Sequence, residues 1–223
     1  RNTSDTGLRI RNSIEDHNLN ISRAAFCGGE SPHRYVKDFG VHLFLSSSIE
    51  DVKLAIQSNV AAATIMSRSL EKNKESNSDI LKIAFDGDSV IFSEESQKIF
   101  DEQGLEAFNM NEKHFADNPL SGGPFKSFLR ELYKVQQSFP RAECPVRIAL
   151  VTARSAPSHE RVIKTLRQWK IRIDESLFLG GMDKTSFLKD FGADIFFDDQ
   201  IENCKSACLE VPTGQVINFN SRI

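Results

Sequence analysis

The sequence has no apolar run long enough to cross a bilayer. Its 223 residues contain no stretch that approaches the ~20 consecutive apolar residues needed by a membrane-spanning helix, and no signal-peptide pattern opens the chain. We therefore expect no membrane partner and a cytoplasmic location. The chain opens with Arg1 instead of Met, so we also expect a fragment or a truncated form.

Clustered basic residues are also missing. Proteins that bind the phosphate backbone of nucleic acids generally carry a basic stripe. Here 28 Lys and Arg are scattered among 31 Asp and Glu, and the net charge is -3. This balance excludes nucleic acid as the main partner, although a mononucleotide would need only local positive charge.

Cysteine is scarce, and its four residues show no disulfide framework. Cys204 and Cys208 lie four positions apart on a predicted helix, but no further Cys or His pair stands at the spacing of metal ligands. We therefore expect packed thiols and no zinc site, which fits a reducing cytosol.

The most informative motif that is present is a pair of carboxylates directly after an apolar run. Asp86 and Asp88 follow a predicted buried strand, with Gly87 between them for a tight turn. In an open parallel sheet, such strand ends face the crevice that binds ligands. One carboxylate could then attack phosphorus while the other handles protons. Taken alone, the pair is weak evidence, because Asp at strand ends commonly caps turns.

Further polar residues follow other predicted strands and turns in a consistent order. Each alone has an ordinary interpretation, as a turn hydroxyl, a surface lysine or a helix cap. Together they supply the cation, the hydrogen-bond donors and the extra carboxylates that phosphoryl transfer requires. Carboxylates converging on one point would repel one another without a divalent cation, and Mg²⁺ favours oxygen ligands and phosphate. These residues are Thr152, Arg154, Lys184, Asp198 and Asp199.

The amino-acid sequence around these motifs resembles the cytosolic 5'-nucleotidase type I family of the haloacid dehalogenase-like hydrolase superfamily. The resembling segments cover nearly the whole chain and include residues 23–29, 61–65, 85–93, 151–157 and 193–200. The resemblance implies an α/β fold with a Rossmann-like parallel sheet and an inserted cap. It also implies a Mg²⁺-dependent enzyme that hydrolyses nucleoside 5'-monophosphates.

The resemblance further implies roles for the motif residues. Asp86 would be the nucleophile that forms an aspartyl-phosphate, and Asp88 the general acid and then the general base. Thr152, Ala153 and Lys184 would bind the phosphoryl group. The metal ligands would be Asp86, the main-chain carbonyl of Asp88, and Asp198 or Asp199.

Substrate contacts are harder to assign. Arg154 and His159 lie just past Thr152 and are candidates for contacts with ribose or base, although the first turn of the following amphipathic helix normally carries polar caps. Two alternatives to the nucleotidase stay open. One is a phosphatase or phosphotransferase for another small phosphomonoester, and the other is a truncated, non-catalytic nucleotide-binding form.

The chain also repeats itself. Setting residue n beside n+152 aligns residues 10–55 with 162–207 without a gap, and 13 of the 46 positions are identical. Chance is a poor explanation, so we expect two related α/β units. The first unit has Pro32 opposite Lys184, and serines opposite Asp198 and Asp199. We therefore expect the first unit to be inactive.

This pattern predicts the domain organisation. Residues 1–70 would form a partial, degenerate repeat, 71–78 a polar linker, and 79–223 the catalytic domain, with a cap inserted at about 93–145. In the first unit we expect helices at 8–17, near Tyr35 and at 49–57, and strands at 24–26 and 41–45. A good amphipathic helix is predicted over 125–133. A sheet edge left open by the shortened repeat makes a homo-oligomer possible.

Overall fold

A single seven-stranded sheet organises the chain in the computed structural model, which describes residues 3–66 and 79–217. The strand order is β1-β2-β7-β6-β3-β4-β5, and all neighbours are parallel except β2 and β7. The predicted α/β class is therefore confirmed, and the predicted parallel sheet contains one antiparallel pair. The strands are β1 (Leu43–Ser46), β2 (Ala61–Ile65), β3 (Leu81–Phe85), β4 (Val146–Thr152), β5 (Glu175–Phe178), β6 (Ile195–Asp198) and β7 (Thr213–Gln215).

Seven α-helices are present among the described residues, and their ends follow local sequence signals. Thr3 closes a capping box at the first helix, and Ser48 caps the second with its hydroxyl. Gly192, in the left-handed region, ends the sixth. The helices are α1 (Ser4–Asp16), α2 (Ile49–Gln57), α3 (Glu95–His114), α4 (Lys126–Gln137), α5 (His159–Trp169), α6 (Thr185–Phe191) and α7 (Ile201–Ala207).

The central strands are apolar on both faces because helices cover the sheet from both sides. Successive side chains of a strand point to opposite faces, so β3 and β4 contribute to two separate cores. One core contains Ile83, Phe85, Ile148 and Leu150 together with Phe125 and Leu129. The other contains Ala84, Ala149 and Val151 together with Leu188, Phe191 and Phe196.

Helix α4 confirms the predicted amphipathic helix at 125–133. Its buried side chains Leu129 and Leu132, with Phe125 just before it, pack into the core beneath the sheet. Part of the predicted insertion therefore serves as a layer of the core. The limits of the cap and of the two domains stay predictions, and the predicted linker at 71–78 lies outside the described residues.

The backbone has equivalent features at the aligned positions of the predicted repeat. Strand β1 lies 152 positions before β6, and α2 begins 152 positions before α7. Three pairs of aligned glycines share the left-handed backbone conformation, which other residues rarely adopt. The φ angles are +60° and +59° for Gly28 and Gly180, +98° and +90° for Gly29 and Gly181, and +63° and +73° for Gly40 and Gly192.

The two units join through equivalent strands. β2 and β7 pair antiparallel, with Thr64 opposite Gln215 and Ile65 opposite Gly214. The first unit therefore extends the sheet of the second, and its strand β1 forms one edge of the described sheet.

One predicted strand in the first unit is wrong. Residues 24–26 contain no strand, whereas the equivalent strand β5 takes its ladder hydrogen bonds from β4. No described strand lies beside residues 24–26, so their backbone has no partner for a ladder. The helix predicted near Tyr35 is a single 3-10 turn, Pro32–Tyr35. The other predicted elements of this unit are confirmed, with α1 starting four residues earlier than expected and β1 shifted by one or two residues.

No helix within residues 3–66 and 79–217 combines the length and the apolar character needed to cross a membrane.

A tight turn after β3 is fixed by a second segment of backbone. The turn Gly87–Ile91 is closed by the Phe92 N–H, which donates to the Gly87 carbonyl at 2.9 Å. Residues 121–125 run alongside it, and the Gly123 N–H donates to the Ile91 carbonyl at 2.8 Å. A Cβ on Gly123 would lie 2.3 Å from the Phe92 carbonyl oxygen, so only glycine allows this close approach.

Two neighbouring glycines test this contact. Gly123→Ala should destabilise the protein by about 1–3 kcal/mol, because rigid backbone must move to admit the methyl group. Gly122→Ala is the matched control, because the atom nearest to its Cβ would be Cδ of the Lys126 side chain and not rigid backbone. Urea unfolding measures both variants. Equal stability of the two would show that the turn does not depend on the approach of residue 123.

Candidate active site

The candidate site lies where three neighbouring parallel strands end. Asp86 follows β3, Thr152 ends β4, and Asp198 ends β6. Because β3 lies between β6 and β4, the carboxyl ends of all three meet at one edge of the sheet. All three side chains are buried, so the site forms part of the interior of the fold.

Lys184 joins two of the strand ends. Its ammonium Nζ lies 2.7 Å from Asp86 Oδ1 and 2.7 Å from Asp198 Oδ2. The residue directly precedes α6 and is only 5% exposed. Burial alone would lower the pKa of Lys184, but the carboxylates of Asp86 and Asp198 raise it above its ordinary value. Lys184 therefore stays charged between the two acids.

Three carboxylates crowd together at this point. Asp86, Asp198 and Asp199 each place one carboxylate oxygen within 4.8 Å of the others. Burial, opposed by Lys184 and reinforced by Asp198, raises the pKa of Asp86 to about 7. Burial and the charges of Asp86 and Asp198 raise the pKa of Asp199 to about 8. The cluster thus holds three acidic side chains close to one lysine.

The same cluster fits a divalent cation. Its donors are all carboxylate oxygens, which Mg²⁺ and similar hard ions prefer over nitrogen and sulfur ligands. A bound cation would also offset the charge that raises the pKa values of Asp86 and Asp199. The side chain of Asp88 is not part of the cluster, and metal binding by its main-chain carbonyl stays a prediction.

Asp198 is oriented by a residue that the sequence analysis missed. Asn203, on α7, donates from Nδ2 to Asp198 Oδ2 at 3.1 Å, and the backbone N–H of Gln200 donates to Oδ1 at 2.8 Å. An amide five positions after a strand-end aspartate could have signalled this contact, because the intervening turn leads directly into a helix.

The second carboxylate of the β3 motif has a different environment. Arg154 donates from Nε to Asp88 Oδ2 at 2.7 Å and from Nη2 to Oδ1 at 2.6 Å. The guanidinium group is buried, and burial opposes the charges of Asp88 and Glu112, which together raise the pKa of Arg154. Both oxygens of Asp88 are therefore bound by one cation.

Glu112 completes this second cluster and was also missed. It accepts hydrogen bonds from Arg154 Nη1, from Arg161 Nη1 at 2.8 Å and from Ser96 Oγ at 2.9 Å. Burial alone would raise the pKa of Glu112, but Arg154, Ser96 and Arg161 lower it. The glutamate lies on α3, in a stretch whose sequence has no motif spacing, so only the three-dimensional fold could find it.

The absence of a side chain at Gly87 leaves space for a neighbouring strand and does not serve an unusual backbone conformation. The predicted tight turn places its positive φ of 64° at Ser89, not at Gly87. A Cβ on Gly87 would lie 3.1 Å from Thr152 Oγ1. The glycine therefore lets the ends of β3 and β4 come close together.

The other predicted residues lie beside these clusters or apart from them. The hydroxyl of Thr152 accepts a hydrogen bond from the Arg154 backbone N–H at 3.3 Å, and Ala153 is exposed between them. His159 begins α5 and is half-buried, with its ring centroid 5.7 Å from that of Phe178. The roles assigned to all of these residues stay predictions.

A substitution tests the dependence of the fold on the buried lysine. Lys184→Met should cost about 3–5 kcal/mol of the free energy of unfolding, because it leaves buried carboxylates without their cation. Lys189→Met, on the exposed face of α6, is the control and should stay within about 0.5 kcal/mol of the parent. Denaturant unfolding in a chelator measures both. A small loss for Lys184→Met would mean that the acids are protonated in the folded protein.

Comparisons with known proteins show the family of the chain. A sequence model of the 5'-nucleotidase family matches residues 1–222. The chain is 39% identical over 211 residues to human cytosolic 5'-nucleotidase 1B, an alignment that covers 92% of this chain and 34% of that protein. It thus spans about a third of the length of that relative.

Among solved structures, a haloacid dehalogenase superfamily hydrolase of subfamily IA, variant 1, from Geobacter sulfurreducens PCA is similar at 15% identity. That match covers 62% of this chain and 88% of the other, with a TM-score of 0.31. The family match over nearly the entire sequence, together with the human relative, shows that the chain belongs to the 5'-nucleotidase family.

Proposed function

We propose that this chain hydrolyses nucleoside 5'-monophosphates to nucleoside and phosphate through an aspartyl-phosphate on Asp86. The observation that carries the proposal is the buried cluster at the strand ends. In this cluster Asp86 contacts Lys184. One carboxylate oxygen of Asp86 also lies within 4.8 Å of one carboxylate oxygen of Asp198 and one of Asp199. A family named for 5'-nucleotidase activity supplies the substrate class.

In the first half of the reaction, a carboxylate oxygen of Asp86 attacks phosphorus and the bond from phosphorus to the 5' oxygen breaks. Asp88 gives its proton to the departing oxygen, so the nucleoside leaves as a neutral alcohol. In the second half, Asp88 takes a proton from water, whose oxygen attacks phosphorus and releases the carboxylate of Asp86. Phosphate is the second product.

The remaining predicted residues serve the phosphoryl group. Lys184 offsets charge on the nucleophile and on the phosphoryl oxygens, while the Thr152 hydroxyl and the backbone around Ala153 offer hydrogen bonds. Asp86, Asp198, Asp199 and the carbonyl of Asp88 would hold Mg²⁺. When bound, the ion supplies positive charge to the phosphoryl oxygens.

The substrate's nucleoside part is assigned less directly. His159 remains our candidate for a contact with ribose or base, since it begins the helix that follows Thr152 and its side chain is half-buried. Arg154 was the other candidate, but its side chain is bound to Asp88 and Glu112. The human relative is named as cytosolic, and we propose the same location for this chain.

The nucleophile is tested by phosphate release from a panel of nucleoside 5'-monophosphates and sugar phosphates with Mg²⁺. Asp86→Asn should abolish release, a loss of at least about 10³-fold, because the amide cannot form the covalent intermediate. Asp190→Asn, an exposed aspartate on α6, is the matched control and should retain full activity. Preference for sugar phosphates would favour a general phosphomonoester phosphatase, and no release from folded protein would contradict the proposal.

The metal is tested by thermal unfolding without substrate. A Mg²⁺ concentration about tenfold above Kd should stabilise the folded protein by ~1.4 kcal/mol. Asp199→Asn removes one of the clustered carboxylates and should reduce this gain. Potassium chloride at matched ionic strength is the control. Equal stabilisation of the parent and the variant would place the ion elsewhere.

A further inference from the structure

The contacts of Asp88 with Arg154 affect its proposed role as the proton donor. To pass a proton to the leaving oxygen, at least one of its two carboxylate oxygens has to face the substrate. Both accept hydrogen bonds from Arg154, at 2.6 Å and 2.7 Å. A paired fork of this kind fixes the plane of a carboxylate as well as its position. When one of the two bonds opens, the other can still hold the group in place.

The fork is itself anchored from another part of the chain. Arg154 Nη1 donates to Glu112, whose side chain is fully buried. Glu112 also binds Arg161 of α5 and Ser96 at the start of α3. The ring of Phe108, one turn before Glu112, lies 5.1 Å from the guanidinium carbon of Arg154. Helix α3 thus fixes both the position and the plane of the guanidinium group.

The cluster contains equal numbers of acidic and basic side chains. Two carboxylates, Asp88 and Glu112, meet two guanidinium groups, Arg154 and Arg161. Close pairing makes the burial of these four groups tolerable, whereas the loss of one partner would leave a buried group without its contact. The cluster joins the turn after β3, the loop after β4, and helices α3 and α5. It therefore connects Asp88 to helix α3, which supplies none of the residues proposed for catalysis.

We propose that Arg154 is the positioning residue for Asp88 and that Glu112 fixes Arg154, so that the placement of the proton donor depends on helix α3. The inference rests on the proposed nucleotidase reaction, in which Asp88 protonates the leaving oxygen. It follows the general pattern in which a catalytic acid or base is oriented by a third group. Arg154 then acts through Asp88 and does not touch the substrate.

Two substrates that differ in one atom test this role. The first is a nucleoside 5'-monophosphate, and the second is its analogue with sulfur in place of the bridging 5' oxygen. A thiol has a pKa of about 8.5, so the thiolate departs without a proton, whereas the alcohol needs one. Loss of proton donation therefore slows only the oxygen substrate, while a general structural defect slows both. The measured quantity is kcat/KM, which covers the steps up to the aspartyl-phosphate.

Arg154→Lys keeps the charge but cannot bind both oxygens of Asp88 in a fork. We expect kcat/KM for the oxygen substrate to fall at least about 10-fold and that for the sulfur substrate to stay within about 3-fold. Asp88→Asn calibrates the assay with a larger split of the same sign. Arg172→Lys is the matched control. Arg172 lies outside the site and also donates from Nε and Nη2 to an aspartate, Asp174. This substitution should leave both values unchanged.

Equal loss on both substrates, or no loss on either, would overturn the role of Arg154. If Arg154→Lys does not fold, Glu112→Gln carries the test, because it leaves Arg154 and Asp88 unchanged and weakens the contact that anchors Arg154. We expect the same selective loss, about 3- to 10-fold, and an equal effect on both substrates would refute the proposal. A parent protein inactive on both substrates would instead refute the nucleotidase function itself.

Discussion

The buried contact of Lys184 with Asp86 and Asp198 is the interaction on which the described site depends. Moving charges out of water is costly unless they are paired closely, and here one ammonium lies 2.7 Å from each of two carboxylates. The contact requires β3 and β6 to be neighbours and α6 to begin beside them. The strand order therefore sets the electrostatics, because it brings Asp199 and two further carboxylates to the same strand ends as Lys184.

The two aspartates of the β3 motif show how one short segment can provide different environments. Asp86 lies in an acidic cluster that raises its pKa, while Asp88 is bound by an arginine on the far side of the turn. Ser89, directly after Asp88, has a positive φ of 64° within the turn. Separate partners of this kind allow neighbouring carboxylates to take separate roles.

Sequence reasoning succeeded where contacts follow from local patterns. Asp86, Lys184 and Asp198 were predictable because each stands at the end of an apolar strand or just before a helix, and parallel strands bring such ends together. Glu112 was not, because its contact with Arg154 depends on the path of α3, which is interrupted at Gly104 where φ is +82°. The wrong strand at 24–26 has a similar cause, since a strand needs a neighbour that its own residues do not specify.

The antiparallel joint between β2 and β7 has a consequence for the two related units. Because the strand direction reverses there, the carboxyl ends of β1 and β2 lie at the opposite edge of the sheet from those of β3 and β6. The units are thus related like the subunits of an isologous two-fold dimer, but within one chain. Ser46, the counterpart of Asp198, therefore ends its strand at the opposite edge of the sheet from Asp198. The first unit thus extends the sheet without contributing a strand end to the candidate site.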